Sequence, residues 1–138
     1  MTKYNSESYY GIVDNIETLE AKDDAATQFM GDGWRMPTKA DLQELSVNTD
    51  SEWVTNYNGS GVNGYKFTSS NGNSIFIPAA GNCYNGSVHD VGYNGGVWSS
   101  SLNTSASKDA WYLFLSSGDC RMRVNQRDSG QPVRGVRK

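Results

Sequence analysis

The sequence predicts an α+β fold, with two short helices in the first half and a β-rich, loop-rich second half, and three observations lead there. The last glutamate is Glu52, and the helix-forming patterns end near it. Beyond it, Asn-Gly pairs recur at Asn58, Asn63, Asn71, Asn85 and Asn94. That dipeptide tolerates positive φ and closes hairpins and tight loops. Near the C-terminus, "DCRMRVN" alternates polar and apolar residues with the period of a strand.

Taken in order, "DDAATQFM" supplies acidic residues for the first turn of a helix over Asp23 to Met30. "PTKADLQEL" supplies a second helix over Lys39 to Ser46, with Thr38 as N-cap and Asp41 at the reciprocal capping position. "GYKFTSSNGNSIFIPAAG" reads as a hairpin: Tyr65 to Thr68, a turn at Asn71-Gly72, then Ser74 to Ile77, with Pro78 ending the ladder for want of an N–H. "VWSSS" and "AWYLFL" carry the aromatic and apolar residues of core strands. In "DCRMRVN", Cys120, Met122 and Val124 fall on one face and Arg121, Arg123 and Asn125 on the other. The core is expected to hold or border Trp34, Trp98, Trp111 and Val133.

At 138 residues the chain has room for one domain. No apolar run approaches the roughly 18 residues that cross a bilayer, mean hydropathy is -0.64, and "MTKYNSESYYG" lacks the basic-then-apolar layout of a signal peptide. Membrane insertion is therefore not expected. Two cysteines, Cys83 and Cys120, could form one disulfide, but spacing alone does not place their sulfurs together. His89 is the only histidine, which argues against a zinc cluster, and no G-x-S-x-G elbow points to a triad. No catalytic residue, metal or cofactor is expected. Five of the six arginines close the chain, at 121, 123, 127, 134 and 137, yet the net charge is -3 and the isoelectric point is near 5.0. That balance argues against nucleic acid as a partner.

The segments "GDGWRMPTKADLQEL", "GVNGYKFTSSNGNSIFIPAAG", "GGVWSSS" and "GQPVRGVR" resemble, in order and spacing, the Fibrobacter major paralogous domain family of gut Bacteroidetes and their phages. The resemblance runs from Gly31 to Arg137. It implies a C-type-lectin-like fold over residues 1–138, related to the formylglycine-generating-enzyme fold, with two helices, a small antiparallel sheet and long loops. One branch of the family resembles the variable proteins of diversity-generating retroelements, in which adenines of the C-terminal coding region are rewritten. An Asn codon with both adenines free cannot yield Lys, Glu, Gln, Met or Trp. None of those five occurs between Asn82 and Val97, whereas Met122, Gln126 and Arg127 would have to be scaffold or unrelated to this mechanism.

The resemblance also implies a ligand-binding protein rather than an enzyme, acting outside the cell on a bacterial surface or phage particle, with a bacterial surface protein or glycan as partner. An invariant structural or adhesin-tip module is the alternative. Calcium-dependent sugar binding is not expected, because "QPV" at Gln131 to Val133 lacks the third ligand of the lectin triplet. An oxidase role is remote, since both cysteines fall at positions the resemblance marks as exchangeable. The expected site joins two windows: loop residues Asn82, Cys83, Tyr84, His89, Asp90, Tyr93 and Asn94, and the strand residues Asp119, Arg121, Arg123 and Asn125 with Asp128 and Ser129 beyond them. Aromatic rings, asparagines and arginine forks compose adaptable recognition surfaces. Arg134 and Arg137 are expected to be structural instead.

Overall fold

A computed structural model describes residues 1–138. The first 24 residues contain only one short helical turn, Ser8–Tyr10, and are ordered by polar contacts. The Asp14 carboxylate accepts from the N–H groups of Tyr4 (2.7 Å), Asn5 (2.9 Å) and Ile16 (3.1 Å), which holds its carboxyl below the usual carboxylate range. Asn5 is fully buried and donates to the Ile12 carbonyl at 3.0 Å.

Helix α1 spans Ala25–Met30, and strand β1, Trp34–Arg35, follows. The Asp24 side chain caps α1 by accepting from Thr27 N–H at 2.8 Å, and accepts from Met36 N–H at 2.8 Å. One buried carboxylate thus ties the helix to the segment after β1. Helix α2 spans Lys39–Val47, with the expected Thr38–Asp41 capping box in place. Arg35 donates to the same Asp41 carboxylate at 2.6 Å, and this contact, ahead of those from Thr38, drives its pKa down to about 2 against the opposing effect of burial.

Strands β2 (Asp50–Val54), β3 (Gly64–Thr68) and β4 (Ser74–Pro78) form an antiparallel meander. A short hairpin follows, β5 (Asn82–Tyr84) with β6 (Ser87–His89). Strands β7 (Asn94–Leu102), β8 (Asp109–Ser116) and β9 (Asp119–Gln126) make a second antiparallel meander. Strand β10, Val136–Arg137, returns to pair with β1. The domain is a small α+β unit of two helices and several antiparallel sheets.

The register of β7–β8–β9 sorts its side chains onto two faces. Val97, Leu113 and Met122 lie across from one another, as do Leu115 and Cys120, and this face closes over Leu42, Tyr65, Phe67 and Ile77 from α2, β3 and β4. Leu113 and Leu115 have no exposed surface. Burying each contributes roughly 1.5–3 kcal/mol. The opposite face carries Gly96 and Trp98 from β7, Tyr112 and Phe114 from β8, and Arg121 and Arg123 from β9.

Some expectations change. Trp98 stands on the face opposite Val97, edge-on to Tyr112 at 5.7 Å, and is half-buried, as are Trp34 and Trp111. Trp111 lies beneath the Lys39 ammonium at 3.5 Å. Val133 is exposed because its segment joins no ladder. Pro78 still pairs with Gly64 before the strand ends. Two Asn-Gly pairs make no turn: Gly64 and Gly95 sit in strands, and a Cβ on Gly64 would lie 2.2 Å from the Ile77 carbonyl oxygen. Glycine is required there by close backbone approach.

Candidate functional site

The tight turn at Ser117–Gly118 sets Asp119 opposite Ser116, and alternation then places Arg121 opposite Phe114 and Arg123 opposite Tyr112. The Asp119 carboxylate accepts a hydrogen bond from Arg123 Nη2 at 2.8 Å and forms an ion pair with Arg121, whose Nε lies 2.9 Å away. The Arg123 guanidinium also stacks over the Phe114 ring, 3.9 Å from its centroid. Neither arginine dangles, and the three charged groups together carry one net positive charge. The Tyr112 hydroxyl is raised above its usual pKa by burial, with Arg123 opposing.

The window expected to be a glycine-rich loop contains the β5–β6 hairpin. Its turn residues Asn85 and Gly86 have φ of 48° and 74°, the paired positive angles that Asn-Gly accepts without strain. The hairpin is fastened to the segment after β9 by two backbone bonds of 2.8 Å, Cys83 N–H to the Gly130 carbonyl and Gly130 N–H to the Cys83 carbonyl. Beyond that anchor, large side chains face solvent: Tyr84 is 60% exposed, Val88 65%, Val91 61% and Tyr93 77%. His89 is exposed beside Tyr84, ring centroids 6.2 Å apart.

The two windows meet at Phe114. Asn82, Asn94, Tyr112, Phe114 and Gln131 line one small depression, and Arg123 stacks on that same Phe114. The hairpin base and the arginine face are therefore neighbours. Tyr84, His89, Asp90 and Tyr93 project further out, and no hydrogen bond or ion pair joins their side chains to the arginines. Asp90 has φ of 59°, and its carbonyl accepts from both Tyr93 and Asn94 N–H at 3.0 Å, shaping the turn into β7.

Asn125 is half-buried opposite Ala110 and accepts from Gln126 N–H at 2.9 Å. Asp128 does not join Asp119. The eight residues of β9 separate their ends, a rise of roughly 23 Å, and Asp128 lines a shallow depression with Met1, Lys108, Gln126 and Arg127. Ser129 N–H donates to the Gln126 carbonyl at 3.0 Å in the turn leading to Gly130. Both cysteines are free. Cys120 sits against the inner cluster, where burial pushes its thiol up to about 11. No three His, Cys, Asp or Glu side chains come together as a metal site.

Comparison with protein-family models, curated proteins and solved structures finds no match.

Several residues of the site were not read from sequence. "AWYLFL" reads as a core strand throughout, whereas the same period of two that sorts β9 sets Tyr112 and Phe114 on the face opposite Leu113 and Leu115. Val88 and Val91 carry no sequence signal, because single valines in a loop make no pattern. Arg127 donates to the carbonyls of Tyr4 and Ser107, each at 3.1 Å, and so pins the N-terminal segment to the sheet. Arg134, expected to be structural, is exposed with one 3.4 Å bond to the Phe76 carbonyl, while Arg137 lies 5.2 Å over the Trp34 ring.

Proposed function

We propose that this chain is a non-enzymatic recognition domain of C-type-lectin-like fold, similar to the Fibrobacter major paralogous domain family, acting outside the cell. Its partner is a protein or glycan on a bacterial surface. One observation carries the reading: Tyr84, Val88, Val91 and Tyr93 expose large apolar surface within ten residues, the first two on a hairpin held by its own ladder and by Gly130, the last two in the turn that follows it. Such groups gain nothing from the core and are unfavourably hydrated until a partner covers them. The neighbouring Asp119–Arg121–Arg123 group adds directional donors in a preset geometry, which lowers the entropy lost on binding. Retroelement diversification of this face is the favoured form of the reading, supported by the absence of Lys, Glu, Gln, Met and Trp between Asn82 and Val97.

The second reading, an invariant structural or adhesin-tip module, is favoured by the internal pairing of both arginines with Asp119, which makes them part of the fold's own bonding. Sequencing the source locus separates the two. A neighbouring reverse transcriptase with a second, asparagine-coding copy of the final segment marks diversification, and their absence marks the invariant module. For binding itself, the Tyr84→Ala, Arg121→Ala, Arg123→Ala variant is compared with the parent on bacterial cells and on arrays of surface glycans. The expected result is retention of the parent and loss of the variant, with cooperative unfolding kept and a melting temperature lower by only a few degrees as the Arg123–Phe114 stack is lost. Equal retention would place recognition elsewhere.

A further inference from the structure

We propose that the outer edge of β9 takes up an extended peptide segment of a partner protein, one that alternates acidic and apolar residues, as an added antiparallel strand. The inference rests on the recognition reading and names the partner chemistry for the arginine half of that site.

Strand β7 has its outer edge occupied: Leu19 N–H bonds to the Ser100 carbonyl, Trp98 N–H to that of Pro132 and Gly81 N–H to that of Asn94. Strand β9 pairs only with β8. Because the Ser117–Gly118 turn closes on the Ser116–Asp119 pair, alternation directs the backbone bonds of Asp119, Arg121, Arg123 and Asn125 toward β8. The N–H and C=O groups of Cys120, Met122 and Val124 then point away from the sheet, and none has a hydrogen-bond partner in the fold. A row of such groups is a template for another strand.

The flanks of that edge decide which strand. On one side stand Arg121, exposed, and Arg123, partly so, sharing the single carboxylate of Asp119. On the other stand Met122 and Val124, the latter 40% exposed. In antiparallel pairing, residues directly opposite share a face. An incoming strand therefore sets acidic side chains beside the arginines and apolar ones beside Met122 and Val124. A second copy of this chain, added through its own β9 in a register centred on Arg121, Met122 or Arg123, would set arginine against arginine, an unfavourable cross-strand pair, and the registers without that clash pair only one end of the strand.

The alternation makes a sharp test possible. The full chain is titrated calorimetrically, at low salt, with a synthetic peptide of about eight residues alternating valine and aspartate, to match the eight of β9. Saturable binding is expected. Valines oppose the residues whose backbone groups point outward, so N-methylated valines should weaken binding about tenfold or more, while N-methylated aspartates should leave it unchanged. Val124→Pro removes one outward N–H without touching the inner ladder and should weaken binding similarly. The Arg121→Glu, Arg123→Glu variant should prefer the corresponding lysine–valine peptide. Absence of binding, or equal loss from both methylation patterns, would overturn the proposal, as would a concentration-dependent dimer in sedimentation that the peptide fails to compete. Should the peptide fail while substitution of Tyr84 still abolishes cell binding, the edge proposal falls and the recognition reading stands.

Discussion

Arg127→Ala is expected to destabilise the fold far more than Arg121→Ala, although both residues belong to the same arginine-rich segment. Arg127 donates to the carbonyls of Tyr4 and Ser107 at 3.1 Å each, and both of those residues are buried. Truncation leaves two carbonyls without their charged donor. Each orphaned acceptor costs about 1–3 kcal/mol, and water reaching the exposed side of Arg127 recovers part of it, so the net loss is about 2–3 kcal/mol. Arg121 makes one solvent-exposed ion pair with Asp119, a contact that contributes about 0–1 kcal/mol. For a chain of this length, about 1 kcal/mol moves the melting temperature by about 3–4 °C. Arg127→Ala should therefore melt about 6–12 °C lower by circular dichroism, and Arg121→Ala less than about 4 °C lower. Urea titration should give the same ranking with unchanged slope. A melting temperature for Arg127→Ala within about 2 °C of the parent, or a larger loss from Arg121→Ala, would refute the assignment of the two arginines to fold and surface.

Leu113→Ala, in the centre of the inner cluster with no exposed surface, should cost about 2–5 kcal/mol in urea denaturation, whereas Val133→Ala should cost under about 0.5 kcal/mol. Because Arg35 holds the Asp41 carboxyl at about 2 in the folded chain, below its unfolded value, its contribution is complete above about pH 4 and is lost as pH falls toward 2. Discounted for solvent screening, that contribution is about 1–2 kcal/mol, and Asp41→Asn should flatten the acid limb of the stability profile. With burial raising its thiol to about 11, Cys120 should react with iodoacetamide at pH 8 at least about tenfold more slowly in the native chain than in urea, as followed by peptide mass analysis.

Local signals were legible where the physics is local. Thr38 and Asp41 satisfy each other's backbone within one turn, so four residues sufficed to place the start of α2. Alternation in β9 was legible through Met122 and fades at Val124, because the core cluster reaches Met122 and stops there. Asn63-Gly64 and Asn94-Gly95 read as turns because the dipeptide is the same wherever it stands. What distinguishes them is a carbonyl from a neighbouring strand, which no short window contains. Arginine roles were the least legible for the same reason: Arg127 meets Tyr4 across 123 positions of chain, and Arg134 finds only one long bond. The proposed recognition window stands out in the sequence by its composition, but the Phe114 ring that lies between its halves emerges only from the register of β8 with β9.

The β5–β6 hairpin has a consequence for engineering. Its attachment consists of backbone atoms only, the Cys83–Gly130 bonds, and its turn geometry is supplied by Asn85 and Gly86. Three neighbouring glycines are closed to substitution on steric grounds: a Cβ on Gly81 would lie 2.0 Å from the His89 carbonyl oxygen, one on Gly130 2.7 Å from Cys83 Cβ, and one on Gly95 2.8 Å from the Pro78 carbonyl oxygen. The chain thus offers Tyr84, Ser87, Val88, His89, Val91 and Tyr93 as a set of exposed side chains on a backbone-held frame, where substitutions are expected to change stability little. It is a ready frame for grafting foreign binding loops.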